Sequence, residues 1–69
     1  MKVTIGYYRH YKGGIYYVTA VAQHESTGEA LVIYHGLSGT WARDYGNFIG
    51  MVEVDGAMVP RFIRAGRDE

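Results

Sequence analysis

The sequence has no cysteine and only one proline, and no stretch of it approaches the roughly 18 apolar residues that a membrane span requires. The absence of cysteine excludes disulfides, thiolate metal sites and a cysteine nucleophile, and with them the usual cross-links of small domains. The first residues also lack the apolar segment of a secretory signal. We therefore expect a soluble, cytoplasmic protein with no membrane partner.

A net charge is also lacking, because seven Lys and Arg residues balance seven Asp and Glu residues. This balance excludes the whole-molecule field that a dedicated nucleic-acid or membrane binder carries. It also hides an asymmetry. Residues 1–24 contain three basic residues and no acid, whereas residues 25–69 contain four Arg and all seven acids. The first third of the chain is therefore basic, and a locally basic face is compatible with the sequence.

The sequence does contain the material for one small core. A length of 69 residues allows one domain, and an apolar fraction of 48% is typical of globular rather than disordered chains. Because a chain near 60 residues buries only about 60% of its unfolded surface, stability has to come from its ten aromatic residues or from an oligomer. We assign residues 1–63 to the domain and the polar residues 64–69 to a frayed tail.

Ten glycines divide the chain into short segments and leave no stretch suited to a long helix. Residues 15–23 and 30–37 are rich in β-branched and aromatic types, and the polar, glycine-containing loop between them predicts an antiparallel hairpin. Asp55-Gly56 indicates a second hairpin, and Pro60 predicts that the last strand lies at an edge or is broken there. The first run carries apolar side chains on both faces, which predicts a strand covered on both sides, as in a small barrel. The expected fold is all-β, with about five to six short antiparallel strands.

The segment before the second hairpin differs from the rest. Thr40 to Arg43 predicts a brief strand, and Asp44 to Phe48 predicts a turn or a single helical turn. We expect Phe48 to plug the barrel from this segment.

A series of short motifs, in a fixed order, is similar to one known family. The motifs are Tyr8-Arg9-His10-Tyr11-Lys12-Gly13-Gly14, Leu31-Val32-Ile33-Tyr34, Trp41 with Arg43, Val52-Glu53-Val54-Asp55-Gly56 and Val59-Pro60-Arg61-Phe62. They resemble a bacterial family of small uncharacterised proteins, the domain-of-unknown-function family 1653, over about residues 6–62. The resemblance implies a small barrel or roll like that of the Src-homology-3 domain, and it implies no established activity. The chain departs from the family pattern in its short 38–40 loop and in the residues after Arg43.

The first of these motifs is also the first candidate binding surface, because aromatic and basic side chains alternate in it: Tyr8, Arg9, His10, Tyr11 and Lys12. A strand would place alternate members of this string on opposite faces. In the functional interpretation, the basic groups meet a carboxylate or a phosphate while the rings stack on a proline or a base. In the structural interpretation, the tyrosines belong to the core and the basic groups form a solvated rim.

Trp41 and Arg43 form the second candidate, because alternate residues of a strand share a face. They would make a cation–π pair or a platform for a ligand. The alternative is that Trp41, the only tryptophan, packs in the core.

Catalytic and metal sites have no support in the sequence. The three histidines lie 14 and 11 residues apart, which is not a metal-ligand spacing, and the glycines match no phosphate-binding loop. No pair of acids is placed where it would be enclosed. We therefore expect neither a metal nor a cofactor, and an enzyme is the least favoured function.

The function we expect is that of a small binding module that holds an extended protein segment in an aromatic and basic groove. One alternative is a module for single-stranded nucleic acid, which the basic first third favours. Another is a homodimer or larger homo-oligomer that hides an edge strand and adds buried area.

Overall fold

The computed structural model of the protein describes residues 3–65, which form seven strands and one short helix. The all-β prediction is confirmed, but there are seven strands rather than five to six because the last predicted strand is divided after Pro60. Residues 3–65 contain no helix with the length and apolar character that crossing a membrane requires. The elements are β1 Gly6–His10, β2 Ile15–Gln23, β3 Ala30–Gly36, β4 Gly39–Asp44, α1 Tyr45–Ile49, β5 Met51–Val54, β6 Ala57–Pro60 and β7 Phe62–Arg64.

The strands form two antiparallel sheets. Five strands lie in the order β4-β3-β2-β1-β7, and β5 pairs with β6 in a separate hairpin. The predicted hairpin of residues 15–23 and 30–37 is β2 with β3, and it contains a bulge at Thr19, where Val18 lies opposite Tyr34 but Ala20 lies opposite Ile33. A bulge of this kind bends a strand and increases its twist. Within residues 3–65 the two sheets do not join into a closed barrel, so the fold is a small open β fold rather than the expected barrel.

The β5–β6 turn has the conformation that its sequence predicts. Asp55 has a φ of 52° and Gly56 a φ of 83°, so both central residues are in the left-handed region that a two-residue hairpin loop favours. The strand that follows ends at Pro60, whose nitrogen carries no hydrogen to donate, and the chain then crosses to the larger sheet as β7. Asp55-Gly56 and Pro60 thus act as predicted.

The core is small and largely aromatic, and Phe48 lies at its centre. Phe48 is 1% exposed and stacks on Phe62 with ring centroids 4.1 Å apart and planes 7° from parallel. It also meets Tyr8 and Tyr34 edge to face at 5.3 and 5.5 Å. The predicted helical turn and the predicted burial of Phe48 are confirmed. In the part of the chain that the structure describes, the buried side chains are Tyr8, Val18, Val32, Tyr34, Phe48 and Phe62.

The helix that carries Phe48 begins at a side-chain cap. The carboxylate of Asp44 accepts a hydrogen bond from the backbone N–H of Asn47 at 3.1 Å, which satisfies one of the free donors at the helix start. The cap fixes the direction of a helix of only five residues, and thereby holds Phe48 over the sheet.

The described residues cover only one face of the five-stranded sheet. The inner face, which carries Val18, lies under Phe48 and its helix, whereas Tyr7 and Ile15, which point to the opposite face, are exposed. The prediction that β2 is covered on both sides is therefore wrong. The reason is that one short helix and one hairpin provide too little chain to cover a second face.

Strand β7 continues past the predicted domain boundary at residue 63. Arg64 is its last residue and pairs with Tyr8, and the N–H of Ala65 donates to the carbonyl of Tyr7 at 2.9 Å. Arg64 and Ala65, which we assigned to the tail, are therefore bonded to the sheet. Its remainder, residues 66–69, lies outside the described residues.

Replacing Phe48 with alanine should remove most of the stability of the domain. A buried Phe→Ala change costs about 3–5 kcal/mol, and a domain of this size has only about 3–10 kcal/mol in total. Ile49→Ala is the matched control, because Ile49 follows in the same helix and is 53% exposed. We expect it to cost less than about 1 kcal/mol. Urea denaturation followed by circular dichroism measures both, and equal losses would show that Phe48 is not the centre of the core.

Candidate functional site

An open cleft of about 480 Å³ lies on the inner face of the five-stranded sheet. Strands β1 to β4 and β7 each contribute at least one side chain, so the pairing of the sheet fixes the shape of the cleft. Most of its lining is aromatic. The lining residues are His10, Tyr16, Tyr34, Trp41, Ala42, Arg43, Asp44 and Phe62.

Cross-strand pairing brings these side chains to one face. Trp41 lies directly opposite Tyr34, and His10 lies directly opposite Phe62, and residues in such pairs point to the same side of the sheet. Arg43 lies two residues after Trp41 on β4 and therefore shares its face. The alternation predicted for Trp41 and Arg43 is present, and it places both side chains at the cleft.

Two glycines allow the aromatic walls to lie close to the backbone. Gly36 and Gly39 face each other at the start of the β3–β4 hairpin. A Cβ on Gly36 would lie 2.7 Å from the ring of Tyr16, and a Cβ on Gly39 would lie 3.1 Å from the ring of Trp41. Any side chain at Gly36 would displace Tyr16, because real Cβ contacts are not that short. Glycine within a strand pattern signals such a close approach of a side chain to the backbone.

Arg43 is the cation of the cleft. Its Nε donates a hydrogen bond to the hydroxyl of Tyr34 at 3.2 Å, and its guanidinium carbon lies 5.8 Å from the centre of the Phe62 ring. Both contacts fix the guanidinium against the aromatic wall. Among residues 3–65, no carboxylate forms an ion pair with Arg43, and its two terminal amino groups make no hydrogen bond. These groups are free to bind a ligand.

His10 lies next to this cation and is held in one tautomer. Its Nδ1 accepts a hydrogen bond from the backbone N–H of Lys12 at 3.2 Å, so the neutral ring carries its proton on Nε2. The imidazole packs edge to face on Phe62 at 4.9 Å. Burial lowers the pKa of His10 below its ordinary value of 6.5, and the positive charges of Arg43, Arg61 and Lys12 lower it further. Near neutral pH the side chain is therefore a neutral donor.

Trp41 forms the outer edge of the cleft. It is 44% exposed, so it is neither a core residue nor a free surface side chain. Within the part of the chain that the structure describes, its indole N–H has no hydrogen-bond partner. A half-exposed ring with a free donor is typical of positions where an aromatic residue meets a partner.

The other predicted site residues lie elsewhere. Tyr8 is part of the core, where its hydroxyl accepts from the N–H of Thr4 at 3.1 Å and donates to the carbonyl of Thr4 at 3.0 Å. We therefore correct its assignment from binding residue to core residue, because it points towards Phe48. Arg9 and Tyr11 line a different depression, beside Pro60.

Lys12 lies in the exposed turn after β1, with its Nζ 5.9 Å from the centre of the Tyr11 ring. The cleft thus combines His10, Trp41 and Arg43 from the predicted set and adds Tyr16, Tyr34 and Phe62, which sequence reasoning did not select. No three His, Asp or Glu side chains of residues 3–65 converge as metal ligands would.

Comparison with known proteins agrees with the resemblance seen in the sequence motifs. The family model described as a protein of unknown function, DUF1653, matches residues 6–64. A crystal structure of a DUF1653 protein from Bordetella bronchiseptica is similar to this chain, with a TM-score of 0.85 and 27% sequence identity. The similarity covers 99% of this chain and 94% of the other. None of the curated proteins matches the chain.

The pKa of His10 gives a direct test of this geometry. We expect its imidazole to titrate below 6.5, and Arg43→Gln to raise its pKa, because the change removes a nearby positive charge. Arg9→Gln removes the same charge on the outer face and should leave the pKa unchanged. NMR titration of the imidazole C–H resonances measures all three proteins, and a wild-type pKa at or above 6.5 would contradict the structure.

The lowered pKa of His10 also makes the free energy of unfolding depend on pH. Because the unfolded chain binds the proton of His10 more tightly than the folded chain does, the His10 contribution to the free energy of unfolding falls as the pH drops from about 6.5 to the folded pKa. Below that pKa the loss levels off. His10→Gln should remove this part of the pH dependence in urea denaturation.

Proposed function

The chain belongs to the DUF1653 family, and we propose that it is a small binding module that holds an extended protein segment in its aromatic and basic cleft. The observation that supports this function is the convergence, in one open cleft, of several aromatic rings and a guanidinium that has no ion pair within residues 3–65. Clefts that present a few polar groups on an aromatic background are the usual form of recognition sites.

The position of the cleft at the edge of the sheet favours an extended ligand. Strand β4, which carries Trp41 and Arg43, is the last strand of the five-stranded sheet. Along residues 39–44, the described backbone bonds to β3 on one side only, so the other side offers free N–H and C=O groups. An added strand can pair there while its side chains enter the cleft, which is the mode called β-augmentation.

The distribution of charge favours a protein segment over single-stranded nucleic acid. Of the described residues, Arg43 is the one Lys or Arg that lines the cleft, and Asp44, whose carboxylate accepts from the N–H of Asn47, also borders it. Arg9 and Lys12, which make the first third of the chain basic, lie outside the cleft. Nucleic-acid binding draws its affinity from several phosphate contacts, and this cleft offers one.

The single tryptophan makes this proposal testable by fluorescence. Trp41 is the only tryptophan of the chain and lies at the cleft, so its emission reports on occupancy. Peptides selected from a random nonapeptide display library are titrated against the wild type and two matched variants, Arg43→Gln and Arg9→Gln. We expect Arg43→Gln to weaken binding about tenfold or more, since a hydrogen bond to a charged group contributes about 1.5–3 kcal/mol. Arg9→Gln should change affinity less than about twofold.

Two results would contradict the proposal. In one, the selected peptides leave the Trp41 emission unchanged, or the two arginine variants weaken binding equally. In the other, oligo-dT binds more tightly than any peptide at 50 mM salt and loses affinity steeply at higher salt, which would favour the nucleic-acid alternative. Unfolding midpoints of both variants show whether the fold is intact.

The uncovered outer face favours a second candidate, self-association. Tyr7 lies edge to face on Tyr17 with centroids 4.8 Å apart, and Tyr17 stacks on His35 at 6.0 Å, so an aromatic row crosses three strands. Ile15 and Leu37 beside this row are also exposed. Sedimentation velocity over a dilution series tests this candidate, and Tyr17→Ser should shift a dimer towards the monomer. A sedimentation coefficient that does not change with dilution and equals that of a monomer would exclude it.

A further inference from the structure

The cleft contains several hydrogen-bond donors that the described part of the chain leaves without an acceptor. They are the two terminal amino groups of Arg43, the Nε2–H of His10 and the indole N–H of Trp41. Donors of this kind stay solvated in the free protein and require acceptors when a ligand displaces the water. Because all of these groups are donors, the ligand has to supply the hydrogen-bond acceptors.

Resting on the binding function proposed above, we propose that the group recognised in this cleft is a carboxylate, held by the terminal amino groups of Arg43 and by Nε2–H of His10. The ligand carries an apolar or aromatic group beside the carboxylate, which packs on Trp41. The chemical class is therefore an apolar carboxylic acid, presented by the bound protein segment.

The direction of Arg43 supports a paired contact with two oxygens. The hydroxyl of Tyr34 already takes the hydrogen of Nε, and Phe62 lies along the guanidinium. The remaining donors are the two amino groups at the far end, whose parallel N–H bonds match the two oxygens of a carboxylate. A bond already made at Nε also limits rotation of the group, so less entropy is lost on binding.

The charges around the cleft favour a single negative charge. Every charge that shifts the titration of His10 is positive, namely Arg43, Arg61 and Lys12, so the ligand binds in a positive potential. Among residues 3–65, however, Arg43 is the one cation that lines the cleft, and His10 is neutral near pH 7, so the lining balances one negative charge. A carboxylate carries one negative charge, whereas a phosphate monoester carries about 1.5 to 2 and would keep part of its charge unbalanced.

The aromatic walls of the cleft indicate that the ligand also has an apolar part. The rings of Tyr16 and Trp41 lie directly over Gly36 and Gly39, which leaves flat aromatic surface beside the guanidinium. Water on such a surface is displaced favourably by an apolar group. A small anion without an apolar part would not use this surface.

Three fragments that differ in one group test the proposal. Benzoate, benzamide and phenyl phosphate share a phenyl ring and differ in the polar group, and each is titrated into the ¹⁵N-labelled chain by NMR. We expect benzoate to shift the Trp41 indole N–H, the Arg43 Nε–H and the Gly39 amide, with a Kd of the order of 1–10 mM. Benzamide should bind about tenfold more weakly or worse, and phenyl phosphate no more tightly than benzoate.

Variants connect the selectivity to the proposed donors. Arg43→Gln should remove the preference for benzoate over benzamide, while Arg9→Gln keeps it. His10→Phe retains an aromatic ring but no N–H, and should weaken benzoate about threefold and benzamide by less, because a hydrogen bond to a charged acceptor is the stronger one. If the amide spectrum shows that Arg43→Gln does not fold, Arg43→Lys replaces it, since it keeps the charge but loses the paired contact and should reduce the preference.

The outcomes separate this proposal from the one it rests on. Equal binding of benzoate and benzamide in the cleft would overturn the carboxylate assignment, and so would tighter binding of phenyl phosphate than of benzoate. Either result would still show that the cleft binds a ligand. Fragments that shift no cleft resonance would overturn it as well, and the peptide titration then decides the binding function separately. In a peptide that binds, amidation of the C-terminus and Glu→Gln replacement show whether the carboxylate is terminal or on a side chain.

Discussion

The contact between Phe48 and Phe62 is the constraint on which the rest of this structure depends. Phe48 comes from a helix of five residues, and Phe62 comes from the short strand that ends the larger sheet. Their stacked rings, 4.1 Å apart, join the helix to the sheet. Only six side chains of residues 3–65 are buried, and two of these six make this contact. The local features around it, such as the Asp44 cap and the strand break at Pro60, serve to bring these two rings together.

The same contact connects stability to the candidate site. Phe62 is in contact with Phe48 in the core, and it also lines the cleft with His10 and Arg43 packed against it. The cleft is therefore the open end of the core rather than a separate cavity. A domain of this size has no additional chain from which to build a separate rigid site. The rings that stabilise the fold therefore also position the polar donors. Changes that loosen the core should therefore disturb the site as well.

The small size of the domain also explains why one face of the sheet is covered and the other is open. The helix and Phe48 lie over the inner face, and the described chain has no second helix to place on the outer one. There Tyr7 meets Tyr17 edge to face and Tyr17 stacks on His35, which reduces the apolar area in contact with water without enclosing it. The protein thus presents two different surfaces. One is the cleft, which combines polar donors with an aromatic wall, and the other is the aromatic row on the outer face.

The sequence by itself determined those features that depend on neighbouring residues. The β2–β3 hairpin, the positive φ angles at Asp55-Gly56 and the strand break at Pro60 each follow from local stereochemistry, and each is present. The shared face of Trp41 and Arg43 follows from strand alternation in the same way. Motif order, which is also read along the chain, was sufficient to indicate the family.

Only the tertiary structure decided which of these residues meet. Tyr8 and His10 share a face of β1, yet one is enclosed by Phe48 and the other opens into the cleft, because the helix covers only part of that face. Phe62 became a wall of the site because β7 pairs with β1, although the two strands are far apart in sequence. Tyr16 and Tyr34 line the same site because β2 and β3 lie between β1 and β4 in the sheet. Burial and contact across strands depend on the register and curvature of the whole sheet, and residue type and local spacing do not encode these directly.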